Sequence, residues 1–313
     1  MGILLQSAQG ILTVVCIIGL GFFLARVGVA DEKIEAFLAT FVTRYALPPF
    51  MMANMLDTFT RQQLFSMAGG LVVPFLSILV CYVLARLAAK VFKVSKGRQG
   101  VFISVVFGSN VIYLGLPLCL ALFGEECVKY VMLYYIANTS TFWTLSMHEI
   151  RKDAGVRAPI FSLSTIKSVL TPPFMGFLAG LFIVLLAIPL PVFFYKACKY
   201  VGSTATPLAM LFIGMVMSRG KWSELEFNKD VVTALVGRFF LSPACVALFM
   251  PIFHLPTLMG QVFVLEAAMP AMVNISIIAK EYGGDYKYAA ELVLVSTVLA
   301  VVTIPIYMLM LQG

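Results

Sequence analysis

Charged residues in this chain fall almost entirely into short gaps between apolar runs of about 20 residues. A run of that length matches the hydrocarbon core of a bilayer, where every backbone N–H and C=O must be paired inside the protein. The pattern predicts helices that cross a membrane. Ten runs occur, near 4–26, 34–56, 64–88, 100–123, 128–149, 166–188, 193–218, 229–252, 257–279 and 287–311. Hydrophobic residues make up 61% of the 313 and charged residues 12%, with a mean hydropathy of +0.98; no soluble domain of this size reads so. The expected fold class is an all-α integral membrane protein of ten transmembrane helices.

Lysine and arginine set the expected orientation. Of the 22, sixteen lie in odd-numbered connections, among them Lys90, Lys93, Lys96 and Arg98. Four lie in even-numbered ones (Arg61, Lys129, Lys196 and Lys199), and Arg44 and Arg238 fall within spans. This asymmetry puts the odd connections in the cytoplasm and both termini outside the cell (inner or plasma) membrane. The net charge of +7 is then a topology signal. It does not point to nucleic acid, because there is no basic domain to hold one. No basic residue precedes Arg26, so span one reads as a retained helix. The six cysteines form no CxxC, and His148 and His254 have no metal-site spacing. Neither a phosphate-cradling glycine loop nor a nucleophile elbow is present. No cofactor, metal or catalytic constellation is expected.

Two spans carry a proline near their middle and an asparagine within a few residues of it: Asn110 and Pro117 in the fourth, Pro270 and Asn274 in the ninth. Proline removes a backbone donor and clashes with the preceding turn. In lipid such breaks persist where they line a cavity, and a matching pair in two halves points to a transporter's binding site. The chain reads as one five-span unit used twice: residues 1–150, a central cytoplasmic loop at 151–165, and residues 166–313. Pro48 and Pro207 are 159 residues apart, and Pro117 and Pro270 are 153 apart. An odd number of spans per unit inserts the second copy upside down.

A broken helix presents unpaired N–H groups and a positive dipole end at the start of its second half, which attracts a carboxylate. The candidate substrate-binding residues are Asn110, Tyr113, Gly115, Pro117, Pro270 and Asn274. Asn138 in span five joins them, because an amide is costly to bury unpaired and so faces the cavity. Arg44, deep in span two, is given a pathway role. Arg238 is expected to snorkel or to form a structural pair, and Thr141 and Thr297 to bond back to their own helices. Glu266, four residues before Pro270, is the candidate carrier of a coupling proton. The chain has no cage of clustered carboxylates for sodium, which favours uniport or proton-linked transport.

Five stretches carry a family resemblance: SNVIYLGLPLCLALFG (Ser109–Gly124), LEAAMPAMVNISIIAKEYGGD (Leu265–Asp285), YALPPFMM (Tyr45–Met52), TPLAMLFIGM (Thr206–Met215) and FWTLSMHEIRK (Phe142–Lys152). They resemble the auxin efflux carrier family, within the bile acid/sodium symporter-like superfamily, and the resemblance covers essentially the whole chain. The brief central loop is similar to that of the bacterial, malate/malonate permease-like branch. The resemblance implies two inverted five-helix repeats with crossing broken helices four and nine. It further implies a scaffold of helices one, two, six and seven, a transport domain of the remaining helices, and elevator-type movement of a small organic anion. It also implies a homodimer through spans two and seven, where Met51, Met52, Met55, Met210, Met215 and Met217 suit adaptable packing. The alternatives are a channel-like protein, for which no filter repeat or charge ring argues, a sodium-coupled symporter of the bile acid type, and a membrane-embedded enzyme.

Overall fold

A computed structural model describes residues 2–60, 68–155, 170–219 and 228–312. Arg61, Arg157, Lys167, Lys221, the first residues of spans three and six and most of the 151–165 loop lie outside the described residues. Among the described residues the chain is helical, with no strand and a single isolated antiparallel bridge. In chain order the helices are α1 (Gly2–Arg26), α2 (Glu32–Phe41), α3 (Leu47–Thr58), α4 (Val72–Val91), α5 (Gln99–Phe107), α6 (Leu116–Phe123), α7 (Val128–Thr141) and α8 (Met147–Asp153). They continue with α9 (Pro172–Leu186), α10 (Val192–Ser203), α11 (Ala205–Ser218), α12 (Lys229–Val236), α13 (Ser242–Ile252), α14 (Thr257–Ala267), α15 (Asn274–Glu281) and α16 (Tyr286–Gln312). Among the described residues, four continuous stretches are long and apolar enough to cross a membrane by themselves: Gly69–Val91, Val192–Ser218, Lys229–Ile252 and Tyr286–Leu311. The protein is therefore an all-helical membrane protein.

Local chemistry explains several helix starts. Asp31 Oδ1 accepts from Ile34 N at 2.9 Å and caps α2. Asn228 Oδ1 accepts from Asp230 N and Val231 N, both at 3.0 Å, and caps α12. Four wide π-turns interrupt the described helices, at Val42–Ala46, Val111–Gly115, Phe142–Ser146 and Gly237–Leu241. Three of them are followed two residues later by a proline: Pro48, Pro117 and Pro243. A proline ring clashes with the carbonyl four residues back, and one extra residue in the preceding turn relieves that clash. The carbonyl four residues before Pro243 belongs to Phe239, and the Tyr307 hydroxyl donates to it.

Two compact units emerge, and each draws on both halves of the sequence. One comprises Met1–Gly69, Leu116–Lys129 and Lys167–Arg219; the other comprises Gly70–Gly115, Tyr130–Ile166 and Gly220–Gly313. In the first unit α1 packs along α11, and α9 and α10 pack on α3. The α1–α11 contact is backbone against backbone. A Cβ on Gly21 would lie 2.2 Å from Leu211 O, and one on Gly214 would lie 2.0 Å from Ile18 O. Lipid supplies no hydrophobic drive between helices, so such close approach is how they gain packing energy. The methionines assigned above to a dimer surface are buried inside this unit. Met51, Met52, Met55, Met210 and Met215 are core residues, and Met217 is half-buried. Glycines of α9 lie over α3, so the Met52 and Met55 face is already covered within the protomer.

The second unit holds the deepest core, with Phe102, Phe107, Tyr134, Phe142, Phe263 and Tyr288 all fully buried. Its charged residues tie helix ends together. Glu149 is buried; it accepts from the Tyr82 hydroxyl at 2.5 Å and pairs with Arg86 at 3.4 Å. Arg98 pairs with Asp285 at 2.7 Å. Replacing Gly214 tests the packing of the first unit. Gly214→Val must push α1 off α11 and is expected to destabilise the protein by about 1–3 kcal/mol. Gly19→Ala, on the same helix pair but with nothing within 4 Å of its Cβ, should leave thermal unfolding in detergent unchanged.

Candidate functional site

Helix α5 stops at Phe107, and Gly108–Asn110 are not helical. Helix α14 ends at Ala267, and the chain becomes helical again only at Asn274. The two interruptions pair with each other inside the second unit. Asn110 N donates to Pro270 O at 2.9 Å, and Met272 N donates to Gly108 O at 3.3 Å. Ser109 and Ala271 form the one isolated antiparallel bridge. Polar side chains from neighbouring helices take the groups left over. Asn138 Oδ1 accepts from Ser109 N at 3.0 Å, while its Nδ2 donates to Ser109 O at 2.9 Å. Ser296 Oγ accepts from Ala271 N at 3.1 Å and donates to Val293 O at 3.0 Å.

This geometry gives each expected site residue a place. Asn110 is buried; its Oδ1 accepts from Tyr113 N at 3.3 Å and its main-chain oxygen accepts from Gly115 N at 3.1 Å. Tyr113, half-buried, and Gly115, buried, lie in the π-turn that follows. Pro270 is buried in the second interruption, and Asn274 is the half-buried first residue of α15. Asn138 is fully buried with its amide bonded to Ser109 on both sides, so it acts as a brace on the interruption instead of facing a cavity. Thr141 and Thr297 bond back to Ala137 O at 2.7 Å and Val293 O at 2.6 Å, as expected. Pro117 and Arg44 belong to the first unit, Pro117 buried within α6 and Arg44 on the exposed side of its π-turn.

Two charged residues complete the second unit's interior. Glu266, on the last turn of α14, is fully buried. Its carboxylate lies against Gly115, where a Cβ would fall 2.2 Å from Oε2. Arg238, in the π-turn between α12 and α13, is also fully buried and does not snorkel. Its guanidinium donates to Ser109 Oγ at 2.8 Å, Ser242 Oγ at 2.7 Å, Val105 O at 3.4 Å and Ala267 O. Tyr134 is buried in the field of both charges. Sequence reasoning gave Arg238 no site role. The available signal was its depth in an apolar span with serine four residues on, which places both side chains on one helix face.

A family model described as membrane transport protein matches residues 7–308. The chain belongs to that family, the auxin efflux carriers. Two curated relatives match nearly end to end. An uncharacterized transporter of Methanocaldococcus jannaschii is 24% identical over 307 residues, covering 95% of this chain and 96% of its own length. Another, of Methanothermobacter thermautotrophicus, is 23% identical over 316 residues, covering 99% of this chain and 100% of its own. The paired interruptions, Arg238 and Glu266 are thus features of a transport-family chain.

The brace can be tested without a substrate. Asn138→Ala leaves Ser109 N and O without partners, at about 1–3 kcal/mol for each buried orphan. It is expected to lower thermal stability well beyond Thr141→Val, whose hydroxyl bonds only within its own helix. Equal losses from the two variants would contradict the bracing role.

Proposed function

We propose that the protein is a secondary transporter that moves a small organic anion, a carboxylate, across the cell membrane by elevator-type alternating access. The observation that carries this reading is the pair of helix interruptions bonded to each other in one unit, with a buried guanidinium on Ser109. Paired interrupted helices mark the substrate and ion sites of transporters built from inverted repeats. In this reading the apolar runs form ten transmembrane helices in two inverted five-helix repeats, and spans four and nine cross at their interruptions. The anion binds against Asn110, Tyr113, Gly115, Pro270 and Asn274, where the N-terminus of α15 supplies a positive dipole end. Asn138 acts by holding the interruption in shape, and Glu266 is the carrier of a coupling proton. Pro117 sets the π-turn that ends at Gly115, and Arg44 keeps its pathway role in this reading.

The division into scaffold and transport domain has support in the compact units. The described helices of spans one, two, six and seven fall in one unit, joined by α6, and those of the remaining spans fall in the other. Both relatives are named as transporters, which supports transport over an enzymatic role. A fixed scaffold needs a partner in the membrane, so the proposal includes a homodimer. Its surface is the outer face of α10, where Phe193 and Tyr200 are exposed, in place of the buried methionines. Both termini lie outside the cell membrane.

A thermal-shift screen of purified protein against dicarboxylates, monocarboxylates and aromatic acids tests the substrate class. One class is expected to raise Tm. Asn110→Ala should weaken that binding by about 1–3 kcal/mol while the protein stays folded. If no anion stabilises the wild type and Asn110→Ala transports every candidate normally, the site is wrong. Orientation is tested with single cysteines at Lys93, Lys96 and Arg151 on a cysteine-free background. They are expected to react only from the cytoplasmic side, and labelling from outside would reverse the topology.

A further inference from the structure

The atoms that accept from the Arg238 guanidinium are oxygens, and they come from the ends of interrupted helices. Val105 O belongs to the last turn of α5, whose final carbonyls have no helical partner. Ala267 O is the last carbonyl of α14. Both are C-terminal ends, where the helix dipole is negative and attracts a cation. Ser109 Oγ, from the first interruption, and Ser242 Oγ, from the first turn of α13, add two hydroxyls. Half-helix C-termini and unwound carbonyls are the groups that hold coupling sodium ions in interrupted-helix transporters. Oxygen-only coordination by carbonyls and hydroxyls suits a small hard cation.

The fold brings the side chain to these atoms. Arg238 sits in a π-turn whose first residue, Gly237, lies against α5, where a Cβ would come 2.8 Å from Val106 Cγ2. That close approach lets a side chain from the α12–α13 segment reach Val105 O and Ser109 Oγ. The guanidinium is fully buried, so no bulk solvent screens its charge.

We propose that Arg238 is a tethered cation that fills the seat a coupling sodium ion would occupy, so that the protein holds its paired interruptions together, and carries its anion, without a free metal cation. The inference rests on the transporter reading above and names its ion coupling. Because the positive charge is covalently attached, it is neither bound from one side nor released on the other. A gradient of sodium therefore has no step on which to act.

The test reads stability with cations as the only variable, so it does not depend on which anion is carried. Wild type purified in detergent is expected to show the same Tm in sodium chloride and in choline chloride at equal concentration. Arg238→Ala removes the charge and leaves the oxygen seat. Its Tm is expected to fall and to be raised several degrees by sodium or by low guanidinium, through binding to the folded state alone. Choline, too large for the seat, should have no effect. Arg238→Lys keeps a tethered charge and is expected to stay indifferent to sodium. A sodium-dependent rise in wild-type Tm overturns the proposal, and so does a folded Arg238→Ala that ignores both small cations. If Arg238→Ala does not fold, the wild type and Arg238→Lys decide: indifference in both supports the tethered cation, and a gain from sodium in either overturns it. Should no organic anion stabilise the wild type while the cation results come out as stated, the carboxylate reading falls and the tethered cation stands.

Discussion

A water-free interior cannot hold an unpaired backbone group without a cost of a few kcal/mol, and this chain contains two stretches of unwound backbone in its deepest core. Neither stretch is stable alone. The N–H groups of Ser109 and Asn110 have no helical partner, and neither have those of Ala271 and Met272. Laid against each other, they exchange Asn110 N to Pro270 O and Met272 N to Gly108 O. Asn138 and Ser296 take the groups that face away from the pairing. The rest of the second unit follows from this contact. α7 and α16 must run past the interruptions to deliver those two side chains. Glu266 and Arg238 come to lie beside Gly115 and Ser109 because the helices that carry them end or bend there.

Pro117 and Pro270 looked like equivalent markers in the sequence, and they do different jobs. Pro270 lies inside its interruption and supplies the carbonyl that Asn110 N needs. Pro117 lies within α6, seven residues beyond the first interruption, and follows a π-turn as Pro48 and Pro243 do. The first interruption is marked instead by Gly108 and Asn110. The spacing reflects this. The bridged residues Ser109 and Ala271 are 162 apart and the braces Asn138 and Ser296 are 158 apart, both larger than the 153 between the prolines. A lone proline in an apolar helix admits two outcomes, a wide turn or an unwound stretch. Which one occurs depends on whether another unwound strand is at hand, and no local pattern encodes that.

Helical class, membrane residence and family were legible because they rest on run lengths, charge clustering and motif strings, all local properties. Thr141 and Thr297 were legible for the same reason, since a back-bond to the preceding turn needs only their own helix. The partners of Asn138, Arg238 and the methionines were not legible because they are remote in the sequence; of the two readings of Arg238, the bonded one holds and snorkelling does not. An amide that is costly to bury unpaired can face a cavity or find an exact partner, and Ser109, 29 residues away, is that partner. The methionines of spans two and seven are apolar on a lipid-facing surface and apolar in a core. Only the packing of α9 on α3 and of α1 on α11 decides for the core.

The second unit carries one fixed positive charge at Arg238 and one carboxyl group at Glu266, both fully buried. Moving a charge across a membrane costs about 2.3 kcal/mol per 100 mV of potential, so the sum of these two groups matters to any unit that crosses. In the proposed carboxylate transporter, with Glu266 ionised the empty unit is neutral within this pair, and a bound monocarboxylate makes it negative. With Glu266 protonated the empty unit is positive, and the same monocarboxylate neutralises it. In the proposed transport cycle, the carboxyl of Glu266, buried in the same unit as the fixed guanidinium, then decides whether the potential acts on the loaded unit or on the empty one. A free sodium ion at the same seat would add its charge only on loading. In the proposed cycle the tethered cation is present in both directions of travel, which leaves the proton on Glu266 as the charge in this pair that is exchanged between the two sides.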